Sequence, residues 1–210
     1  MIDGYFKRRI DRWWDRLAPA LVGLGFDANR VTWAGLGLSA AIAATYPLYR
    51  VPGVFGLLIL AVFAFDSLDG AVARHLNAPT LYGGYLDAMA DRWQEILAFA
   101  ALGCVHGWGG AFLAATGALS VSYAKARCAI EMPIDNAAWP DLMERLERTL
   151  VLGLGLVAAS LLPWPAAWPC DAAEALLIVL GLLCHATAAQ RFLRARRMLR
   201  RRDAERSAPQ

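Results

Sequence analysis

The sequence predicts an all-α integral membrane protein, in which six transmembrane helices follow an N-terminal amphipathic interfacial helix. Three observations lead to this fold class. Of the 210 residues, 58% are hydrophobic and 19% are charged, whereas soluble domains carry about 25% charged residues. Runs almost free of charge recur along the chain, and each is close to the ~20 residues that cross a bilayer as a helix. Basic residues concentrate at alternate ends of these runs, as in multi-pass membrane proteins.

Residues 1–20 are expected to form a juxtamembrane helix that lies flat on the membrane. Apolar side chains, including Trp13 and Trp14, fall on one helical face, and charged side chains fall on the other. Such a helix buries its apolar face at the headgroup boundary, and the two tryptophans favour that interface. A surface helix packed on protein is the alternative. We do not expect a cleavable signal peptide, because the segment lacks an apolar core and a small-residue cleavage site.

Six hydrophobic runs follow, separated by segments that contain Gly or Pro. The predicted spans are 31–49, 54–76, 84–105, 110–130, 148–163 and 173–193. They belong to one transmembrane domain, residues 29–193, which a basic tail follows at 194–210. Among the 21 Lys and Arg residues, Arg50 falls on the outer side and Arg92 lies just inside the third span. The positive-inside rule therefore places both termini in the cytoplasm, as in a multi-pass protein of the inner (plasma) membrane.

Four aspartates interrupt the apolar pattern around the connection between the second and third spans. Asp66 and Asp69 lie late in the second span, and Asp87 and Asp91 lie early in the third. Each pair shares one side of its helix, so that all four carboxylates can face one cytoplasmic cavity. Carboxylates repel one another there, and oxygen-only ligands suit Mg²⁺ or Mn²⁺. Two such ions commonly hold a phosphoryl group during its displacement.

The spacing of this region resembles the signature of the CDP-alcohol phosphotransferase (phosphatidyltransferase) family. The eight matching positions are Asp66, Asp69, Gly70, Ala73, Arg74, Gly83, Asp87 and Asp91. The resemblance covers the whole chain and implies an enzyme that moves a phosphatidyl group from CDP-diacylglycerol to an alcohol and releases CMP. The alternative, in which Arg74 and Arg92 alone neutralise the aspartates, leaves excess negative charge.

The resemblance also implies roles for individual residues. The two ions would be bound by Asp66, Asp69, Asp87 and Asp91. The CDP-lipid would be bound by Asn29, Thr32, Asp66, Asp69, Gly70, Ala73, Arg74, Thr80 and Gly83. Asp91 would also be the general base that takes the proton of the acceptor hydroxyl. From the residues alone, Asn29 can equally cap the first span, with Thr32 in its first turn, and Thr80 can be an ordinary loop residue.

Cations at the ends of the last three spans resemble those of the phosphatidylinositol-phosphate synthase branch. Lys125 lies in a Ser-Tyr-x-Lys-Ala-Arg segment, Arg148 in a Glu-Arg pair, and Arg191 near the end of the last span. The resemblance implies that these three bind the phosphate of the acceptor, with inositol phosphate favoured, and that Ser122 touches the acceptor. A second Glu-Arg pair leaves Arg145 as the alternative to Arg148.

Other interpretations remain open at this level. The chain departs from the branch in having Cys128 after Ala-Arg, with the acidic residue displaced to Glu131. Glycerol 3-phosphate would suit the same cations, as in a phosphatidylglycerophosphate synthase. Alternatively, these cations follow the positive-inside rule and bind no ligand. A divalent-cation or solute transporter is the non-enzyme alternative, although transporter sites usually lie near the midplane. Membrane lipids and a second copy in a homodimer are the implied partners, and no nucleic acid is expected. His75, His106 and His185 lack metal-ligand spacing, and no role is predicted for them.

Overall fold

The computed structural model describes residues 14–76, 78–134, 139, 142–165 and 167–207, and every regular element in these ranges is an α-helix. The helices are α1 (14–23), α2 (Ala28–Tyr49), α3 (Pro52–His75), α4 (Leu81–His106), α5 (Trp108–Glu131), α6 (Arg145–Leu161) and α7 (Ala172–Ser207). Residues 1–13, which include most of the predicted interfacial helix, lie outside the described residues. The helices α2 to α7 coincide with the six predicted hydrophobic runs.

Side chains cap the helices α2 and α4 at their first turns. Asp27 precedes α2, and its carboxylate accepts a hydrogen bond from the backbone N–H of Arg30 at 2.8 Å. Asn29 therefore lies inside the first turn and is not the cap. Thr80 precedes α4, and its hydroxyl accepts from the backbone N–H of Gly83 at 2.9 Å. Side-chain oxygens at this position satisfy otherwise unpaired N–H groups, so Thr80 is a helix cap and not an ordinary loop residue.

Three helices in the described part of the chain are long and apolar enough to cross a membrane: α2, α3 and α7. By the same measure α4, α5 and α6 fall short; α6 has 17 residues, and α4 carries the charged motif in its first half. The number of six spans therefore stays a prediction. The helix α7 has 36 residues and continues to Ser207, well past the predicted end of the last span at 193. Part of the basic tail is thus helical.

Small residues bring several of the helices into close contact. On α3, a side chain at Gly56 would clash with the carbonyl oxygen of Gly153 on α6 and would lie 3.0 Å from Cβ of Leu156. On α5, a Cβ at Gly117 would lie 3.1 Å from the carbonyl oxygen of Gly181 on α7. Small residues at such positions let helix backbones approach closely, as in many membrane bundles. The pairs α3–α6 and α5–α7 are consequently among the tightest in the bundle.

Gly56→Ala is expected to destabilise the protein, because the new methyl group must push α3 and α6 apart. Overpacking of this kind costs about 1–3 kcal/mol. The measurement is thermal unfolding of the purified protein in detergent, with Gly37→Ala as the control. Gly37 lies within α2 with nothing within 4 Å of its would-be Cβ, so that its substitution should leave stability unchanged or raise it. Equal melting temperatures for the two variants would contradict the close packing of α3 on α6.

A chain of hydrogen bonds joins three helices at the end of the bundle opposite the aspartates. The hydroxyl of Tyr46 on α2 lies 2.5 Å from Nε2 of His106 at the end of α4. Nδ1 of His106 lies 2.6 Å from Oδ2 of Asp171. The other carboxylate oxygen of Asp171 accepts from the backbone N–H of Glu174 at 2.8 Å, in the first turn of α7. His106, for which the sequence predicted no role, thus connects α2, α4 and α7.

Candidate functional site

Three carboxylates lie close together, two from α3 and one from α4. One oxygen from each of Asp66, Asp69 and Asp87 lies within 4.8 Å of the other two. Asp66 and Asp69 are three residues apart and share a face of α3, and Asp66 is only 4% exposed. Three carboxylate oxygens at this separation are within reach of a single ion, and an all-oxygen donor set suits Mg²⁺ or Mn²⁺. The residues present therefore fit a divalent cation.

Neighbouring groups orient these carboxylates. The hydroxyl of Thr32 donates to Oδ2 of Asp69 at 2.7 Å, and the backbone N–H of Gly70 donates to its Oδ1 at 2.5 Å. The amide nitrogen of Gln94 donates to Oδ1 of Asp66 at 3.0 Å. Hydrogen bonds of this kind fix the direction of ligand atoms and are a regular part of metal sites. Thr32 thus contacts the aspartate cluster directly.

A cavity of about 370 Å³ opens beside the cluster. The predicted CDP-lipid residues that line it are Asn29, Thr32, Asp69, Gly70, Ala73, Thr80 and Gly83, together with Asp87. Gly83 has a local reason to be glycine, since a Cβ there would lie 2.9 Å from Oγ1 of Thr80 and 3.2 Å from Oδ1 of Asn29. The predicted residue Arg74 is not among the lining residues. Its guanidinium pairs with Asp15 on α1 at 3.0 Å, and both side chains are about half exposed.

The fourth aspartate of the motif, Asp91, is held by arginine. Nη1 of Arg145 lies 2.6 Å from Oδ1 of Asp91, and Nη2 lies 2.7 Å from Oδ2 of Asp66. The same Nη2 also donates to the side-chain oxygen of Gln94 at 3.0 Å, and the guanidinium stacks over Phe63 at 5.0 Å from the ring centroid. One guanidinium therefore bridges a member of the three-carboxylate group and the expected general base.

The cations predicted to bind the acceptor phosphate fall into two places. Arg148 is 2% exposed; its Nη2 lies 2.7 Å from the carboxylate of Glu95. Lys125 and Arg191 both approach Oε1 of Glu144, at 3.8 and 3.5 Å. The structure thus brings Lys125 and Arg191 together, and it pairs Arg148 with a carboxylate of α4.

The sequence analysis assigned no role in binding or catalysis to four residues around the site: Gln94, Glu95, Glu144 and Arg92. Arg92 donates a hydrogen bond to the hydroxyl of Ser122. A helical signal was available for two of them. Gln94 and Glu95 follow Asp91 by three and four residues, the spacing of one helix face. Glu144 gave no such signal, because it lies just before α6 and its contacts come from distant parts of the chain.

Comparisons with known proteins give matches over most of the chain. The family described as CDP-alcohol phosphatidyltransferase matches residues 26–186. The archaetidylinositol phosphate synthase of Methanothermobacter thermautotrophicus is 32% identical over 90% of this chain and 91% of its own. The phosphatidylinositol phosphate synthase of Mycobacteroides abscessus is 32% identical over 84% and 80%. Among solved structures, the phosphatidylinositol phosphate synthase of Mycobacterium tuberculosis with manganese and citrate superposes with a TM-score of 0.73 at 25% identity, over 87% and 88%.

Proposed function

Because the chain belongs to the CDP-alcohol phosphatidyltransferase family, we propose that it transfers the phosphatidyl group of CDP-diacylglycerol to a hydroxyl of an inositol phosphate and releases CMP. The observation that carries this proposal is the group of three carboxylates, Asp66, Asp69 and Asp87, beside a cavity lined by the expected nucleotide residues. The relatives named above, which are synthases of inositol-phosphate lipids, support this acceptor.

The proposal includes two divalent ions, Mg²⁺ or Mn²⁺. Asp66, Asp69 and Asp87 would hold one ion, and Asp66, Asp87 and Asp91 would hold the other. When bound, such ions supply positive charge that neutralises the diphosphate and its developing negative charge during displacement. The manganese in the solved mycobacterial structure supports a divalent ion in this family.

The remaining chemistry falls to the side chains of this chain. Asp91 takes the proton of the acceptor hydroxyl while that oxygen forms its bond to the phosphorus of the phosphatidyl group. The bond from this phosphorus to the bridging oxygen of the diphosphate breaks, and the oxygen leaves with CMP. Arg74, one turn after Gly70 on α3, provides a guanidinium that can bind a phosphate with two hydrogen bonds. Gly70 and Ala73 leave the wall of the cavity free of bulky side chains.

Release of CMP by the purified full-length chain tests this function. The assay contains CDP-diacylglycerol, Mg²⁺ and one acceptor from the series inositol phosphate, glycerol 3-phosphate and free inositol. We expect the fastest release with inositol phosphate. Faster release with glycerol 3-phosphate would instead support a phosphatidylglycerophosphate synthase, whereas a preference for free inositol would remove the proposed phosphate pocket and leave the reaction class intact. Absence of CMP with every acceptor would contradict the function.

Lys125, Arg148 and Arg191, with Ser122, form the proposed acceptor pocket. Lys125→Gln is expected to raise the KM for the acceptor by roughly tenfold, because a charge-assisted hydrogen bond contributes about 1.5–3 kcal/mol. Arg191→Ala and Arg148→Ala should act in the same direction. The KM for CDP-diacylglycerol should barely change, since its phosphates lie at the aspartates.

Arg127→Gln is the matched control for these variants. Arg127 lies two residues from Lys125 on α5 but pairs with Glu131 at 2.6 Å, so its loss should leave the acceptor KM unchanged. An unchanged acceptor KM in Lys125→Gln and Arg191→Ala would show that the acceptor phosphate binds elsewhere.

The same proposal includes a topology and an assembly. We propose that α2 to α7 form six spans in the inner (plasma) membrane, with both termini in the cytoplasm. The distribution of basic residues supports this orientation. We further propose a homodimer. Labelling of single cysteines introduced at the two ends of α5 would test the orientation, and light scattering in detergent would test the dimer.

A further inference from the structure

We propose that Arg145 and the second divalent ion compete for the carboxylates of Asp66 and Asp91, and that the phosphate of the acceptor draws Arg145 away from them. Binding of the acceptor would therefore tighten binding of the second ion. This inference rests on the proposed function, because it assumes the metal site and the acceptor described above.

The competition follows from the contacts of Arg145. Its two terminal nitrogens lie 2.7 Å from Oδ2 of Asp66 and 2.6 Å from Oδ1 of Asp91. Both contacts are close ion pairs, so the guanidinium already neutralises both carboxylates. An ion held by the same two carboxylates would lie next to this positive charge, and like charges at such a distance repel strongly in a partly buried site. The second ion and the bridging position of Arg145 therefore exclude each other.

The first ion is less exposed to this competition. It would use one oxygen each from Asp66, Asp69 and Asp87, which already lie close together. The two carboxylates that Arg145 pairs with at 2.7 and 2.6 Å are those of Asp66 and Asp91. Arg145 therefore contacts two of the three carboxylates proposed for the second ion, Asp66 and Asp91, and one of the three proposed for the first.

The position of Arg145 in the chain connects it to the acceptor pocket. Arg145 is the first residue of α6, and Glu144 immediately precedes it. Glu144 lies 3.8 Å from Lys125 and 3.5 Å from Arg191, two of the cations proposed to bind the acceptor phosphate. A phosphate bound there would repel Glu144 and attract Arg145. Because the two residues are adjacent at the start of a helix, one anion can act on both.

Arg145 has the reach that this exchange requires. Its side chain is 23% exposed and is therefore not sealed in the core. An arginine side chain can rotate about several bonds without moving its backbone. On leaving the aspartates, its guanidinium would bind the acceptor phosphate with two parallel hydrogen bonds. Arg145 would thus be a specificity residue for a phosphorylated acceptor, because a neutral alcohol could not draw it away.

The effect must be reciprocal. If the acceptor raises the affinity for the second ion by a given factor, the ion raises the affinity for the acceptor by the same factor. The coupling depends on the charge of Arg145. Removal of that charge should therefore raise the affinity for the second ion and make this affinity independent of the acceptor. A merely structural arginine would produce neither effect.

The experiment counts bound Mn²⁺ by electron paramagnetic resonance of the free ion, with the full-length chain in detergent. The wild-type protein should bind one ion tightly and a second more weakly, and inositol phosphate should tighten the second by about tenfold, within the usual range for coupled sites. In Arg145→Gln the second ion should bind about tenfold more tightly without acceptor, and inositol phosphate should add nothing. Arg30→Gln is the control, since Arg30 pairs with Asp27 and both side chains are more than half exposed, and it should behave as the wild type.

Each result decides the matter. Identical Mn²⁺ binding in Arg145→Gln and the wild type, or loss of the second ion in Arg145→Gln, would overturn the inference and leave the proposed function standing. A wild-type protein that binds no Mn²⁺ would overturn the metal site itself. If Arg145→Gln does not fold, Arg145→Lys carries the test, because one ammonium group cannot bridge both carboxylates, so that the second ion should bind more tightly than in the wild type. An Arg145→Lys protein with wild-type binding would then overturn the inference.

Discussion

Asp87→Ala is expected to reduce CMP release by roughly 10³-fold or more. Asp87 contributes one of the three carboxylates that lie within 4.8 Å of one another, and in the proposed function it binds both ions. Removal of such a ligand loses several kcal/mol of stabilisation of the transition-state charge, and each 1.36 kcal/mol is a factor of ten in rate. Asp66→Ala should have a comparable effect, since Asp66 is the other carboxylate that both ions share.

The measurement combines CMP release with Mn²⁺ binding, so that loss of rate can be traced to loss of metal. Asp203→Asn is the control, because Asp203 lies in the exposed last turns of α7 and accepts a hydrogen bond only from Ser207 among the bonds found there. It should retain both activity and metal. An Asp87→Ala protein with more than a few per cent of wild-type turnover would exclude this carboxylate from the metal site.

Asp91→Asn is expected to bind CDP-diacylglycerol normally and to lose turnover by about 10²–10⁴-fold, the usual contribution of a general base. The amide has nearly the same shape as the carboxylate but cannot take a proton from the acceptor hydroxyl. The test measures CMP release together with binding of the CDP-lipid. Turnover near the wild-type rate would show that another group is the base.

Loss of the contact with Arg145 needs a separate check in this variant. The guanidinium would lose one of its two charged partners, Asp91, and would keep Asp66. A melting temperature close to that of the wild type would exclude unfolding, and wild-type Mn²⁺ binding would exclude loss of the second ion, which leaves proton transfer as the cause of the lost turnover.

The positions of the helices could be predicted from the sequence because local features set them. Long apolar runs separated by Gly and Pro gave six helices whose bounds differ from the observed ones by a few residues, except at the end of α7. The aspartate cluster was also predictable. Asp66 and Asp69 are three residues apart on one helix, Asp87 follows soon after on the next, and the connection is too short to separate them.

The partners of the arginines could not be predicted in the same way. Arg145 and Arg148 are three residues apart and therefore lie on nearly the same face of α6. Which of them reaches the aspartates depends on how α6 is rotated and shifted against α3 and α4, and this is decided by packing such as that of Gly56 on Gly153. Periodicity along a single helix contains no information about such a shift. The structure shows Arg145 at the aspartates and Arg148 at Glu95.

The hydrogen-bonded chain from Tyr46 through His106 to Asp171 has a mechanical consequence. It ties α2, α4 and α7 together at one end, and about 23 Å of helix separates His106 from Asp91 at the other, at 1.5 Å per residue. These helices can then tilt as rigid rods about the tied end. A tilt of roughly 5° about that end displaces the helix at Asp91 by about 2 Å. The cavity can thus widen for a bulky headgroup while the tied end of the bundle keeps its contacts.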